Sequence, residues 1–267
     1  MPSAKQIFYQ EFSQQESLIQ VDTDKYDRHA DLLIIKDLKT NAVVGTYRII
    51  NSDKSTEFYS ASEFHIESFT KNPEKKIELS RACIHPKYRN GRVITLLWKG
   101  LFDYLTKSKA RYLFGCSSVT NSNPAELSKL ITFLYETKAI RPDCDILPKK
   151  EFDQSATILK MCFENRETSF NHRQLPPLLR SYLKVGAKIS PIPAYDHFFS
   201  CYDFFTVLDT KALRENYIKK LGTQWQNKNH TLSYSYEVSL EKKDIGEPFA
   251  KLSQKKPSVA TSYFVIS

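Results

Sequence analysis

The stretch that decides the fold is Glu78–Leu101, which reads ELSRACIHPKYRNGRVITLLWKGL. It begins inside an extended apolar run, Ile77–Ile84, that also carries a carboxylate, a hydroxyl and a guanidinium. A short basic turn with one glycine follows at Pro86–Arg92, and apolar residues then recur at three- and four-residue spacing from Val93. Because that spacing places apolar side chains on one helical face, the stretch predicts a strand, a turn and an amphipathic helix in this order.

The turn has a composition that suits an anion. Lys87, Arg89 and Arg92 would lie at the start of the helix, where unpaired backbone N–H groups and about half a unit of positive charge favour anions. Asn90 and Gly91 are also ordinary turn residues, because both tolerate positive φ. The pattern therefore predicts either a pyrophosphate cradle or a solvated basic turn, and the turn alone favours the second interpretation.

The composition is typical of a cytoplasmic enzyme. The chain has 267 residues, of which 41% are hydrophobic, and this is enough for one large or two small domains with a sizeable core. It has no apolar run near the roughly 18 residues of a spanning helix, and we expect no signal peptide from its first residues. The five cysteines are widely spaced without a CxxC pair, which indicates reduced core side chains rather than disulfides or nucleophiles.

The formal net charge of +9 narrows the range of partners. A basic protein can meet nucleic acid, an anionic membrane surface or an acidic protein. The sequence contains no pattern of a nucleic-acid-binding module, so we expect no nucleic acid as a partner. An acidic carrier protein and an anionic membrane surface both remain possible partners. The charge could also serve solubility alone.

The periodicity along the chain predicts an α/β layer with mixed strand pairing. Asp31–Asp37 and Ala42–Asn51 have the pattern of a β-hairpin. The further predicted elements are the strand Glu78–Ile84, the helix Val93–Thr106, the strand Arg111–Ser117, the helices Glu126–Lys138 and Leu175–Val185, and the strand Cys201–Leu208. The helix 175–185 is amphipathic and basic, so its apolar face could lie on a membrane, although a face toward the core is the more common arrangement.

The end of the chain differs in character from the rest. We expect residues 1–215 to form one domain and residues 216–267 to form an extension. Thr231–Ser239 alternates like an edge strand, and the residues after it are charged and rich in structure breakers. The extension is therefore predicted to be either an edge hairpin or a partly disordered tail.

Four blocks of the sequence, in the same order, resemble the GNAT superfamily of acyltransferases. They lie within Val21–Arg48, Phe58–Phe64, Glu78–Ser118 and Leu175–Asp203, and the resemblance runs from about residue 5 to about residue 213. The closer similarity is to the subgroup that makes N-acyl ornithine and related aminolipids, which is itself akin to acyl-homoserine-lactone synthases. The resemblance implies an α/β GNAT fold, with a mixed central sheet whose central strands splay apart and are flanked by helices.

Two positions depart from the wider superfamily. The general GNAT turn reads Arg/Gln-x-x-Gly-x-Gly/Ala, whereas Arg92 and Ile94 occupy the two small positions here and the glycine is Gly91. This form is like that of the aminolipid subgroup, and it favours a carrier-protein or long-chain donor over acetyl-CoA. Asp31 stands where the subgroup often has histidine, so no role is carried over from that position.

The resemblance implies catalytic roles for two residues of the strand. Glu78 is the expected general base, which takes a proton from the attacking amine, and Arg81 accompanies it in catalysis. Because strand side chains alternate, both can serve one site only if the strand bulges between them. The alternative is a structural ion pair between Glu78 and Arg81.

The resemblance also implies the binding residues. Arg48 and Ser80 are expected to bind the acceptor, with a surface salt bridge as the alternative for Arg48, and Phe114 and Gly115 are expected to flank the thioester in a slot beside the splayed strand. The phosphopantetheine arm of the donor is expected to contact Ile84, Arg89, Asn90, Gly91, Arg92 and Val93.

A metal interpretation arises at Asp196, His197 and Asp203, which are close in sequence. Metal ligands need convergent geometry, and a single Asp-His pair provides little of it. We therefore predict no metal, and we expect these residues to form structural hydrogen bonds at the closing end of the sheet.

Together these observations predict a cytoplasmic, peripherally membrane-associated N-acyltransferase without a bound cofactor. The predicted reaction moves a long-chain acyl group, expected to be 3-hydroxylated, from acyl carrier protein (or acyl-CoA) to the α-amine of ornithine or a similar amino acid. A lactone-forming synthase that uses S-adenosylmethionine and an acetyl-CoA-dependent acetyltransferase are the alternatives among enzymes. A catalytically inactive scaffold that binds acyl chains or membranes is the alternative of another class.

Overall fold

The structure is a computed structural model that describes residues 24–120, 123–141, 145–164, 170–213 and 236–242. These residues divide into two compact units. The first unit comprises residues 24–55, 79–109 and 236–242, and the second comprises residues 56–78 and the described residues between 110 and 213. One strand, Lys76–Ile84, begins in the second unit and continues into the first.

The regular elements follow one another in α/β order. The strands are β1 (Ala30–Asp37), β2 (Ala42–Asn51), β3 (Lys76–Ile84), β4 (Tyr112–Val119), β5 (Lys188–Ile189), β6 (Ala194–Asp196), β7 (Cys201–Asp209) and β8 (Tyr236–Lys242). The α-helices are α1 (Glu67–Lys71), α2 (Arg92–Ser108), α3 (Pro124–Glu136), α4 (Ser155–Glu164) and α5 (Pro177–Val185). Short 3-10 turns occupy Lys25–His29, Tyr59–Ser62, Pro86–Tyr88, Lys150–Phe152 and Thr210–Ala212.

The first unit is an antiparallel layer with one long helix. The predicted hairpin is confirmed, since β1 pairs with β2 along its whole length, from Ala30 opposite Ile50 to Asp37 opposite Ala42. The other edge of β1 pairs antiparallel with β8, and β3 lies on the far side of β2. The strand predicted near the end of the chain is therefore confirmed, with bounds shifted toward residue 242, and the rest of the predicted extension lies outside the described residues.

The second unit is a mixed sheet covered by helices. In it β4 pairs antiparallel with β7 over eight residue pairs and parallel with the first three residues of β3, where Glu78 is opposite Phe114. The short strands β5 and β6 both pair with β7. Helices α3, α4 and α5 share one apolar core, and Leu179 and Leu183 of α5 contribute to it. The amphipathic face of α5 therefore faces the core.

Most elements agree with the sequence prediction to within two residues at either end, although α1, α4, β5 and β6 were not predicted. The cysteines also agree, because Cys83 and Cys201 are buried and Cys116 and Cys162 are half-buried, all as free thiols, while Cys144 lies outside the described residues. Among the described helices, none has the length and apolar character needed to cross a membrane.

A close contact fixes how α2 lies on the hairpin of the first unit. A Cβ atom at Gly45 of β2 would come within 2.5 Å of Cγ1 of Val93, which is fully buried at the start of α2. Such a distance is far inside van der Waals contact, so only glycine lets the helix approach the strand here. The helix start, and the turn before it, therefore depend on a residue that is distant in sequence.

Replacing Gly45 by alanine is expected to destabilise the protein, by about 1–3 kcal/mol, because a stiff β-branched side chain blocks the new methyl group. Val93→Ala removes the blocking atom. The double variant should therefore lose less free energy of unfolding than the sum of the two single variants, by at least about 0.5 kcal/mol. Urea denaturation of the four proteins measures this coupling, and strict additivity would show that the contact is absent.

Candidate active site

A buried arginine organises the acidic residues that precede β1 in the first unit. Arg48 of β2 is fully buried, and its Nε donates a hydrogen bond to Ser80 Oγ at 2.8 Å. Its Nη1 donates to both oxygens of Asp24 at 2.7 Å, and Asp27 Oδ1 lies 3.4 Å from the same nitrogen. The alternative interpretation, in which Arg48 forms a surface salt bridge, is therefore wrong, because the guanidinium that contacts Asp24 is buried inside the first unit. The structure brings together Arg48 and Ser80, as predicted for the acceptor side, while contact with an acceptor stays a prediction.

Arg81 joins the same network through Asp24. Its Nη2 donates to Asp24 Oδ2 at 2.9 Å. Burial raises the pKa of Asp24, but the hydrogen bonds and positive charges of Arg48 and Arg81 outweigh that effect and lower the pKa below its ordinary value. Asp24 is therefore an anion that orients two arginines at once. No local pattern in the sequence indicates a role for Asp24, because the need for an anion here follows from the burial of Arg48.

The backbone at Arg81 is irregular within β3. Its φ is +52°, which is the left-handed region, whereas the residues around it remain in the strand. A residue in this conformation interrupts the alternation of side chains, as in a β-bulge. This geometry agrees with the bulge that we expected on this strand.

The basic turn lies at the exposed start of α2. Gly91 has φ of +87° and is the N-cap, so the predicted glycine occupies a left-handed position. Arg89 Nε donates to the carbonyl of Ile84 at 2.9 Å, and Asn90 Oδ1 accepts the backbone N–H of Arg92 at 3.1 Å. These bonds fold the turn back on the end of β3. The side chain of Val93 is buried, so a donor could meet only the backbone at that residue.

The predicted base, Glu78, is held by donors of the second unit. It is fully buried, and its oxygens accept hydrogen bonds from the backbone N–H of Tyr59 at 2.7 Å, the N–H of Ser60 at 2.7 Å and the hydroxyl of Ser60 at 2.6 Å. Hydrogen bonds of this kind stabilise a carboxylate anion. The role of Glu78 as a base stays a prediction.

The two residues predicted to flank the thioester lie on β4 of the second unit. Phe114 is buried, and its ring packs edge-on against Phe58 and Phe69, with centroids 5.1 and 5.0 Å away. Gly115 is opposite Thr206 of β7. These contacts give Phe114 a packing role, and the contact of both residues with a thioester stays a prediction.

A group of three buried carboxyl groups lies in the second unit. Glu63, Asp196 and Asp203 each place an oxygen within 4.8 Å of the other two, and all three are buried. The structure thus brings together Asp196 and Asp203, as their spacing suggested, but it adds Glu63 and leaves His197 exposed. The predicted structural hydrogen bonds are present, because Asp196 accepts the N–H groups of residues 198 and 199, and Asp203 accepts the hydroxyl of residue 118. The set offers oxygen atoms only, which hard cations prefer.

These carboxyl groups have unusual acidities. Burial raises the pKa of Glu63 well above that of an ordinary glutamate, and the negative charge of Asp203 raises it further. Burial also raises the pKa of Asp203. Glu63 lies in one of the four blocks that resemble the GNAT superfamily, but the resemblance implied no chemical role for it. Nothing in the local sequence predicts that it lies beside Asp196 and Asp203, which are more than a hundred positions away.

Comparison with known proteins agrees with this fold. Residues 5–99 match the family model described as an acetyltransferase (GNAT) domain. The chain is 27% identical over 233 residues to an L-ornithine N(alpha)-acyltransferase of Brucella abortus, covering 82% of each chain. It is 29% identical over 211 residues to the protein of the same name from Rhizobium meliloti, covering 75% of this chain and 71% of that one. The crystal structure of TofI, in a ternary complex with an inhibitor and MTA, has a TM-score of 0.40 at 12% identity and covers 77% of this chain and 79% of that chain.

The mixed sheet with its flanking helices, the glycine turn before α2 and the family match together define the class of protein. The chain is an acyltransferase with the GNAT fold. Its sequence is similar to L-ornithine N(alpha)-acyltransferases, which fits the aminolipid-forming subgroup that its four blocks resemble.

Replacing Asp24 by asparagine should destabilise the protein, because Arg48 would stay buried without its nearest anion. The expected loss is about 3 kcal/mol, the lower end of the range for removing one partner of a buried ion pair. Since the folded pKa of Asp24 lies below its ordinary value of 3.8, the native protein has this stability above that pH and loses it as the pH falls through the folded pKa. Urea denaturation between neutral and acidic pH measures both effects.

Asp27→Asn is the matched control, since Asp27 lies farther from the same guanidinium nitrogen, at 3.4 Å. It should lose clearly less stability than Asp24→Asn at neutral pH. An equal loss in the two variants would contradict the leading role of Asp24.

Proposed function

We propose that the protein transfers a long-chain acyl group from acyl carrier protein to the α-amine of ornithine. The observation that carries the proposal is the order of features along β3, where a buried, hydrogen-bonded Glu78 precedes an exposed basic turn at the start of a 17-residue helix. Relatives that are 27% and 29% identical over most of their length, and that are named L-ornithine N(alpha)-acyltransferases, support ornithine as the acceptor.

The chemistry needs one proton transfer and one exchange of bonds at the thioester carbonyl. An α-amino group has a pKa of about 8, so it must lose a proton before it attacks. Glu78, directly or through a water molecule, takes that proton. The amine nitrogen then forms a bond to the carbonyl carbon, the carbon–sulfur bond breaks, and the phosphopantetheine thiolate leaves and is protonated. The products are an N-acyl ornithine and the free thiol of the carrier.

Arg81 is the residue we assign to the acceptor carboxylate. Its side chain is 13% exposed, whereas Arg48 is fully buried. Arg48 and Asp24 would then act as positioning residues that hold the guanidinium of Arg81, because Asp24 contacts both arginines. A guanidinium can bind a carboxylate through two parallel hydrogen bonds, which also fixes the direction of the amine.

The donor would be bound by the basic turn. Arg89, Asn90, Gly91 and Arg92 are all exposed, and they lie at the N-terminal end of α2, where backbone N–H groups favour a phosphate. An acyl carrier protein is acidic, so the net charge of +9 would also favour its approach. Coenzyme A has the same phosphopantetheine arm but lacks the protein surface, which makes it the poorer donor in this proposal.

The test uses the purified protein, a long-chain 3-hydroxyacyl carrier protein and a pool of free amino acids, with products identified by mass spectrometry. We expect one main product, N-acyl ornithine, and a much slower reaction with the matching acyl-CoA. Glu78→Gln should lower kcat by about 10²-fold or more, the usual contribution of a positioned base.

Ser62→Ala is the matched control, because Ser62 belongs to the same 3-10 turn but donates its hydroxyl hydrogen bond to the carbonyl of Tyr59 rather than to Glu78. It should keep nearly full activity. A lactone product or acetyl transfer from acetyl-CoA would replace the proposed reaction with one of the enzyme alternatives. Acyl-chain binding without turnover of any amine would indicate an inactive scaffold.

A further inference from the structure

The three buried carboxyl groups of Glu63, Asp196 and Asp203 form a cluster that the proposed chemistry does not use. None of them forms an ion pair with a lysine or arginine in the part of the chain that the structure describes. Three carboxylates this close cannot all stay ionised without a cation, because like charges repel strongly where water is excluded. The cluster must therefore either keep a proton or receive a cation.

Glu63 is the member that points to a ligand. It is 1% exposed, and neither of its carboxylate oxygens meets a donor at full hydrogen-bonding geometry among the described residues. The Tyr59 hydroxyl and the Asp203 carboxyl lie beside Glu63, and both act on its pKa as hydrogen-bonding neighbours. A buried polar group without a partner costs about 1–3 kcal/mol, so a site that keeps one usually binds something there. Its oxygen points to the other two carboxyl groups.

The oxygens lie close enough together to contact one primary ammonium group. An ammonium has three N–H donors, and three acceptors at hydrogen-bond distance around a tetrahedral nitrogen lie about 4.6 Å apart. The cluster offers one oxygen from each carboxyl group, all within 4.8 Å of one another. A divalent metal would need three or more additional oxygen ligands in this enclosed place. The donor count therefore favours the ammonium.

The chain places Glu63 close to the residue that binds the predicted base. Ser60, which binds Glu78, and Glu63 are three residues apart on one 3-10 turn, and the N–H of Glu63 donates to the carbonyl of Ser60 at 3.2 Å. Residues three apart in such a turn lie on one side and about 6 Å apart. Five single bonds separate the two amino nitrogens of ornithine, which span roughly 6 Å when extended.

One residue connects the two places. The thiol of Cys116 donates to Ser60 Oγ at 3.5 Å. Burial raises the pKa of Cys116, and the charges of Glu63 and Asp203 raise it further. Ser118 follows two residues later on β4, opposite Asp203. A polar row thus runs from Glu78 through Ser60 and Cys116 to the cluster, all within the second unit.

We propose that Glu63, Asp196 and Asp203 bind the side-chain ammonium of the acceptor and thereby select an amino acid with a second amine. This inference rests on the proposed function, because it assumes that an amino acid is the acceptor. Glu63 supplies an oxygen that meets no donor at full hydrogen-bonding geometry among the described residues, and the two aspartates, whose other hydrogen bonds hold them in place, complete the set of three acceptors.

The first test compares ornithine with norvaline, which has the same carbon chain but no terminal amine. The protein should prefer ornithine in kcat/KM by about 10²-fold or more, because without the ammonium the buried carboxyl groups stay unpaired. Glu63→Gln should lower kcat/KM for ornithine by about 10-fold or more and leave the value for norvaline nearly unchanged. Glu151→Gln, at an exposed carboxylate of the same unit, should change neither value.

The inference is overturned if the unaltered protein acylates norvaline as well as ornithine, or if Glu63→Gln lowers both values equally. A protein that acylates no amine removes the proposed function, and direct binding then decides the inference. Calorimetry should detect binding of ornithine but not of norvaline, and Glu63→Gln should abolish it. Binding of Mg²⁺, Ca²⁺ or Mn²⁺ that depends on Glu63 would identify a metal site instead. Absence of any ligand would indicate a carboxyl group that only shares a proton.

The variant itself should fold. Glutamine has the shape of a protonated glutamic acid and cannot ionise, so Glu63→Gln should keep or raise the melting temperature, since burial disfavours the charged form of Glu63. A large decrease in melting temperature would show that Glu63 has a structural partner, and would count against a ligand role. Asp203→Asn provides a second variant. Its melting temperature also depends on the hydrogen bond that Asp203 accepts from the Ser118 hydroxyl.

Discussion

The burial of the Glu78 carboxylate is the constraint from which the second unit's polar interior follows. An ionisable group inside a strand must be hydrogen-bonded, because an uncompensated carboxylate away from water costs several kcal/mol. The 3-10 turn Tyr59–Ser62 provides the donors by directing two N–H groups and one hydroxyl at the carboxylate. The turn is thereby fixed against β3. Its last hydrogen bond then determines where Glu63 lies, so the predicted base and the acidic cluster share one positioning element.

The first unit solves the opposite problem, the burial of a cation. Arg48 has no exposed surface, and Asp24 with Asp27 supplies the negative charge that a buried guanidinium needs. Asp24 also reaches Arg81, so one anion orients two arginines. The same unit presents the basic turn, whose position depends on the close approach of Val93 to Gly45. Packing in one place and charge compensation in another thus fix the positions of the basic turn and of the two arginines.

Local patterns predicted most of the fold because they carry the period of each element. The apolar spacing of α2 and the alternation in the β1–β2 hairpin gave bounds within two residues of those observed. Helix α4 was missed because apolar residues lie on both of its faces. Ile158 and Met161 are buried, whereas Leu159 and Phe163 are 66% and 71% exposed, so no single face has the helical period. The family resemblance, rather than periodicity, singled out Glu78 and Arg81. Neither source predicted Asp24 or Glu63, because their roles depend on contacts between residues distant in sequence.

The acidic cluster and the Asp24 network differ in one respect that bears on function. In the network each described carboxylate of Asp24 and Asp27 faces a guanidinium, so the charges compensate one another within the fold. In the cluster the carboxyl groups face one another, and Glu63 has no such compensation. A fold selected for stability alone would replace one of these groups by a neutral side chain, since buried polar groups without partners are costly. A ligand that carries a positive charge would supply the compensation that Glu63 lacks among the described residues.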